Sequence, residues 1–357
     1  MHSCPERREN AVNALRRSVM SVGIATVTLV AVACGQSQDA GSAPVEGTWD
    51  DVVAAANGEG SVHLYSSQHP ENLATLETAF ESKYPDIDLE FTRGSDVELN
   101  PRVETEARTG RGTADVHMST DPAWITNASE SGTYSTPMVG PAFDDPAYAR
   151  STSVLNDTFF LTSAAIFALG WNTDAVPAGL SSPQDLLDPA LRGRIGVVNP
   201  AGFAAVVDEY RFFDENWTGG GFLDKLAAQE PRVYPGALAV AQALSSGEIA
   251  ASPMVPPLVR EKDAGAPVEW TLPDPAWGAP YYSHVLSSAP HPNAAQVLAD
   301  FMVSADGQRA LSKGYGSALP DVENSVASAQ DIPLPDTDSL TPEKVSQFQQ
   351  EWESKFN

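Results

Sequence analysis

From about residue 60 onward the chain exchanges short alternating apolar runs for helix-spaced ones again and again, and that rhythm narrows it to an α/β architecture. Val62-His63-Leu64-Tyr65 reads as a first strand. Leu73, Leu76, Ala79, Phe80 and Tyr84 then recur at helical spacing until Pro85 ends the helix. Ile87, Leu89 and Phe91 alternate as a second strand, a helix carrying Val103, Glu104 and Ala107 follows, and residues 114–118 form a third strand. One long apolar run over 159–172 marks a change of lobe. Ser182 then caps a helix that opens at Pro183. A strand over 194–198 ends in Asn199-Pro200-Ala201-Gly202 and feeds a helix through Phe213. The chain returns through 277–283 to a long helix at 292–303, and a capped helix over 341–356 closes it. No internal repeat is visible. Two lobes joined by two crossing segments make a cleft. The expected boundaries are 48–160 with 280–335 for the first lobe, 161–279 for the second, and 336–357 for the C-terminal helix.

Ahead of this domain, residues 1–33 have the build of a secretory signal, with Arg7, Arg8, Arg16 and Arg17 before an apolar run from Ser18 to Ala33. The run falls short of the about 20 apolar residues that a membrane span needs. It ends in Ala31-Val32-Ala33-Cys34-Gly35, which resembles a bacterial lipobox with alanine where leucine is usual. That resemblance implies lipidation of Cys34 and anchoring to the outer face of the cell membrane; a plain secretory signal cut near Ala33 is the alternative. Residues 34–47 read as a flexible tether, small and polar from Gly35 to Pro44, whose about 13 residues reach roughly 20 Å.

Both cysteines, Cys4 and Cys34, lie in the leader, so the exported domain holds no disulfide, thiol nucleophile or thiolate metal site. A domain without such staples needs a large core, which about 300 residues supply. The formal net charge of -26 makes nucleic acid a poor partner and gives an acidic, solvated surface. A secreted α/β hydrolase is the reading from another class, but no Gly-x-Ser-x-Gly elbow and no His-Glu-x-x-His occurs, and Gly314-Tyr315-Gly316-Ser317 misses the pattern. No catalytic residue and no cofactor is expected.

Several segments in their order and spacing resemble the solute-binding proteins of bacterial ABC importers, in the group related to ferric-ion-binding proteins. They are Leu64-Tyr65-Ser66-Ser67-Gln68-His69, Thr113-Ala114-Asp115-Val116, Leu187-Asp188-Pro189 through Gly193-Arg194-Ile195-Gly196, Ser246-Gly247-Glu248-Ile249-Ala250, and His291-Pro292-Asn293-Ala294-Ala295 with Phe301-Met302. The resemblance covers most of residues 60–320. It implies a type II periplasmic-binding-protein fold with a hinged cleft, no catalysis, and delivery of a small-molecule or ion ligand to a permease and ATPase complex by a monomeric, membrane-anchored receptor. Presentation of ligand to a sensor kinase uses the same cleft and is not separated by sequence.

In an open α/β sheet, ligands sit beyond the carboxyl ends of strands, where exposed N–H groups and the helix dipole favour anionic groups. The helix starts at 66–70, 120–124, 199–203 and 234–237 are therefore the candidates, two from each lobe. They name Ser66, Ser67, Gln68, His69, Thr120, Asp121, Trp124, Asn199, Ala201, Gly202 and Tyr234 as ligand-binding residues, and the returning crossover adds Tyr281 and Tyr282. Adjacent strand residues point to opposite faces, so at most one of those two tyrosines faces the ligand. Arg93, after the second strand, suits a carboxylate or phosphate.

Ferric binders of the resembled group use two adjacent tyrosines with a histidine, a carboxylate and a bound anion. His69 stands at the histidine position, and Thr120 stands at the carboxylate position with Asp121 adjacent. The tyrosine pair would fall at Pro253-Met254, which offer no hard donor to Fe(III). The expected ligand is therefore a small organic solute, anionic or amine-bearing, with ferric ion held by His69 and Asp121 as the alternative.

Overall fold

The computed structural model describes residues 43–202, 204–332, 334–335 and 337–356. The secretory signal, Cys4, Cys34 and most of the tether lie outside the described residues.

Two buried cores organise the chain, each on its own sheet. In the larger core Ser61–Ser66 pairs in parallel with Asp88–Arg93 on one side and Val116–Ser119 on the other. Gly278–Leu286 runs antiparallel beside Val116–Ser119 and pairs on its far edge with Phe159–Ile166. Val62, Leu64 and Tyr65 are buried on the first strand, and Leu73, Leu76 and Phe80 are buried on the helix Pro70–Lys83 that follows it. The Phe80 ring meets Phe301 of the helix Pro292–Val303 edge-on at 5.5 Å. Side chains of this size stabilise by about 1.5–3 kcal/mol each when fully buried, which is how a domain without disulfides holds together.

The smaller core uses an antiparallel sheet of Ala251–Val255, Ala168–Asn172 and Val268–Thr271 and a parallel pair, Gly196–Val198 with Arg232–Tyr234. A bridge between Ile195 and Ala251 joins the two. Helices Ala204–Asn216 and Ala237–Ser245 pack on it, and so does the C-terminal helix Pro342–Phe356. Tyr210 is the centre of that last contact, its ring 5.7 Å from Trp352 and 6.2 Å from Phe348 and Phe356, with its hydroxyl donating to the Val198 carbonyl at 2.6 Å.

The chain leaves the larger sheet after Ile166, enters the smaller at Ala168, and returns between Thr271 and Gly278. The two crossings lie side by side: the Phe167 N–H donates to the Trp277 carbonyl at 3.2 Å, and their rings are 5.5 Å apart.

Two expected elements change. The helix after Ser182 is only the 3-10 turn Pro183–Leu187, because Pro189 removes an N–H and steers Asp188 away from helical dihedrals. The strand expected over 194–198 shortens to Gly196–Val198. Among the described residues no helix is long and apolar enough to cross a membrane.

Candidate functional site

Residues from both cores and from both crossings line a cavity of about 360 Å³. The larger core contributes Ser67, His69, Arg93, Thr120, Tyr281 and Tyr315; the smaller contributes Val198, Ala205, Val206, Glu209, Pro256 and the run from Pro235 to Ala239. Ala165, Ile166, Phe167, Trp277 and Ala279 of the crossings close its back. All four anticipated helix starts thus reach the cavity or flank it, as the strand-end rule requires.

The polar groups of the larger-core wall are fixed before anything binds. Buried Asp96 accepts from the Thr120 hydroxyl at 2.6 Å and from the Ser67 and Ser119 hydroxyls at 3.3 and 3.2 Å. Burial pushes its carboxyl up to about 6, against the opposing pull of the Thr120 hydroxyl. Because Ser67 and Thr120 spend their protons on Asp96, their oxygens have lone pairs to offer a ligand donor. Arg93 is steadied by its Nε on the Gln68 carbonyl at 2.8 Å, with one terminal nitrogen 3.4 Å from the Ser67 carbonyl.

His69 caps the helix Pro70–Lys83, its Nδ1 accepting the Glu71 N–H at 3.2 Å. Burial, seconded by the Arg260 charge, pushes its imidazole down to about 4, so the neutral ring carries its proton on Nε2. Burial also raises both wall phenols, Tyr281 well above its ordinary value and Tyr315 to about 12.

The smaller-core wall is mostly apolar, with one exception. Glu209 is fully buried, and neither of its carboxylate oxygens has a hydrogen-bond partner among the described residues. Burial, then its neighbour Asp208, pushes the carboxyl well above the usual carboxylate range. Asp208 itself accepts the Trp277 indole N–H at 2.7 Å.

Of the residues named from sequence, Ser67, His69, Arg93, Thr120 and Tyr281 stand on the cavity wall. The others take different places. Ser66 and Gln68 turn into the larger core, toward Met118 and Ser163 respectively. Asp121 caps the helix Pro122–Ser131 through the Ala123 and Trp124 N–H groups, both at 3.1 Å. Trp124 packs against His117, Tyr134, Phe159 and His284 and donates to Glu104 at 2.9 Å. Asn199 closes its own turn by accepting the Ala201 N–H at 2.8 Å, and Ala201, within the 3-10 turn Pro200–Gly202, sits beside the wall instead of on it. The Tyr234 hydroxyl donates to Glu248 at 2.8 Å. Tyr282, on the opposite face from Tyr281, is buried in the larger core.

Glu209 and Tyr315 were not singled out as site residues. A signal for Glu209 exists: Val206, Glu209, Tyr210 and Phe213 fall at helical spacing, so a carboxylate sits on an apolar stripe. Tyr315 carries no comparable local sign. Among the described residues no group of three or more His, Cys, Asp or Glu side chains able to hold a metal ion occurs.

A family model for bacterial extracellular solute-binding proteins matches residues 65–316. Among solved structures, the chain is similar to the substrate-binding protein of an ABC transporter from Agrobacterium tumefaciens (18% identity, 84% of this chain and 96% of that one, TM-score 0.69). It is also similar to AfuA from Actinobacillus pleuropneumoniae with fructose-6-phosphate bound (20%, 84% and 99%, 0.65) and to iron-bound HitA from Pseudomonas aeruginosa (18%, 82% and 99%, 0.63). These likenesses show the fold, the two-lobed α/β type of periplasmic binding proteins. A search of curated proteins returns no match.

Proposed function

Since the chain belongs to the bacterial extracellular solute-binding proteins, a family of binding proteins and not of enzymes, we propose that it captures a small organic solute in the cavity between its cores and hands it to the permease of an ABC importer. The observation that carries this reading is the lining: apolar and aromatic side chains surround a few fixed polar groups, Ser67, Arg93 and Thr120, in about 360 Å³. That volume and polarity suit a small organic molecule. Closure about the paired crossings at Phe167 and Trp277 removes the solute from water, and contacts from both walls favour the closed state only when solute is present. The receptor acts as a monomer tethered through lipidated Cys34 at the outer face of the membrane.

Ferric ion is the second reading, favoured by one observation: Tyr281 and Tyr315 share the wall with His69, their ring centroids 6.2 Å apart. Against it, burial keeps both phenols protonated, and presenting a lone pair on His69 Nε2 means moving the ring proton to Nδ1 and losing the helix cap. Native mass spectrometry of gently purified protein separates the readings. An organic adduct is expected; a retained iron mass establishes the second reading, and neither adduct nor binding by any small solute overturns the receptor reading. Cys34→Ala is expected to release the protein from membranes with solute affinity unchanged, and membrane retention of that variant counts against the lipid anchor.

A further inference from the structure

We propose that Glu209 is the anchor for a protonated amine of the bound solute. This inference rests on the solute-binding reading above and goes beyond it by assigning the chemical class of the ligand.

The argument starts from an unmet requirement. Glu209 lies in the cavity lining on the helix Ala204–Asn216, yet its side chain is fully screened from water and both carboxylate oxygens lack a partner among the described residues. Buried polar groups are nearly always hydrogen-bonded, and leaving one without a partner costs about 1–3 kcal/mol. The neighbouring acid shows the ordinary solution, since Asp208 accepts the Trp277 indole N–H. No described residue meets the requirement for Glu209, which leaves it to a group that enters the cavity this residue lines.

Two further observations select a cation bearing N–H donors. Ser67 and Thr120, across the cavity, have given their protons to Asp96 and present oxygens that accept. Phe167 and Trp277, their rings 5.5 Å apart, belong to the lining, and an aromatic ring attracts an ammonium placed over its face. Arg93 and the start of the helix Ala237–Ser245 at Gly236 then serve a carboxylate elsewhere on the same solute, so a zwitterion fits the whole lining.

The test compares the exported protein with its Glu209→Gln variant. Native mass spectrometry identifies any solute retained from the producing cell. Calorimetric titration then uses four ammonium probes (γ-aminobutyrate, β-alanine, putrescine and L-arginine) and three anionic ones, fructose 6-phosphate, citrate and ferric citrate. The expected result is a nitrogen-bearing adduct or ammonium-probe binding by the wild type, weakened at least about 30-fold in Glu209→Gln, as loss of one partner from a buried charged contact predicts. Binding of the anionic probes alone, or amine binding that Glu209→Gln leaves unchanged, overturns the inference while the receptor reading stands. No adduct and no binding by any of the seven probes overturns both. Should Glu209→Gln fail to fold by circular dichroism, Glu209→Asp keeps the charge one methylene back and is expected to weaken amine binding by about tenfold.

Discussion

The two walls of the cavity solve opposite problems. On the larger-core wall the polar groups are tied to the protein: Asp96 gathers Ser67, Thr120 and Ser119, His69 caps a helix, and Arg93 is bonded to the Gln68 carbonyl. The smaller-core wall is shape first, built from Val198, Ala205, Val206, Pro235 to Ala239 and Pro256, with the Glu209 carboxyl, which has no hydrogen-bond partner among the described residues. A wall that is satisfied beforehand orients its ligand with little further ordering, whereas one that holds an unmet group gains most when the ligand arrives. The first is the template and the second is the sensor.

Four measurements break or sharpen that contrast. Trp277→Ala removes a buried ring at the crossing and the Asp208 donor, and is expected to cost about 3–5 kcal/mol in urea unfolding. A loss below about 1 kcal/mol, the level of an ordinary substitution, means the smaller-core wall is not held by that ring. Asp96→Ala is expected to cost about 2–3 kcal/mol and to weaken solute binding more than stability alone explains, because Ser67 and Thr120 lose their acceptor. Unchanged solute affinity in that variant retires the template.

The third measurement is the pH profile of stability without solute, where the walls pull in opposite directions. His69 has a folded value of about 4, below its ordinary 6.5, so its contribution is present above about pH 6.5 and is lost as pH falls toward about pH 4. Glu209 is raised, so the folded protein holds a proton that the unfolded chain releases, and its contribution is lost as pH rises above 4.5. His69→Gln flattens the acid limb by about 1–2 kcal/mol after screening, and Glu209→Gln flattens the neutral one. Unchanged limbs in both variants remove the electrostatic half of the contrast. The smallest effect belongs to the tyrosine pair: Tyr281→Phe shifts solute affinity by about tenfold and Tyr282→Phe by less than about twofold. Equal effects mean that Tyr282 also reaches the ligand.

What was legible in sequence was the periodic part. The helix Pro292–Val303 starts at a proline and buries its residues along its whole length, and of the adjacent Tyr281 and Tyr282, both buried in the larger core, Tyr281 lines the cavity. The strand-to-helix turns were legible too, because the chain punctuates them with Pro70, Pro122 and Pro200. Side-chain direction within a turn was not. Asp121 and Trp124 stand at a helix start, yet the carboxylate caps the backbone and the indole packs inward on His117 and Phe159, choices set by tertiary neighbours. Glu209 was hidden for a different reason: an acid in a helix ordinarily marks the solvated face, and only its phase against Val206, Tyr210 and Phe213 betrays it.

The docking of the helix Pro342–Phe356 against Tyr210 makes the smaller core a composite of distant chain. Its main segment leaves at Phe167 and returns at Trp277, two residues already joined by a hydrogen bond, so it has the anatomy of an inserted cassette whose ends a short linker could splice. Yet the cassette alone leaves the Tyr210 face bare, and the missing cover lies far along the chain. Synthesis therefore delivers the smaller core's last packing layer only after the larger core's strands have been made, which ties the maturation of one lobe to completion of the other.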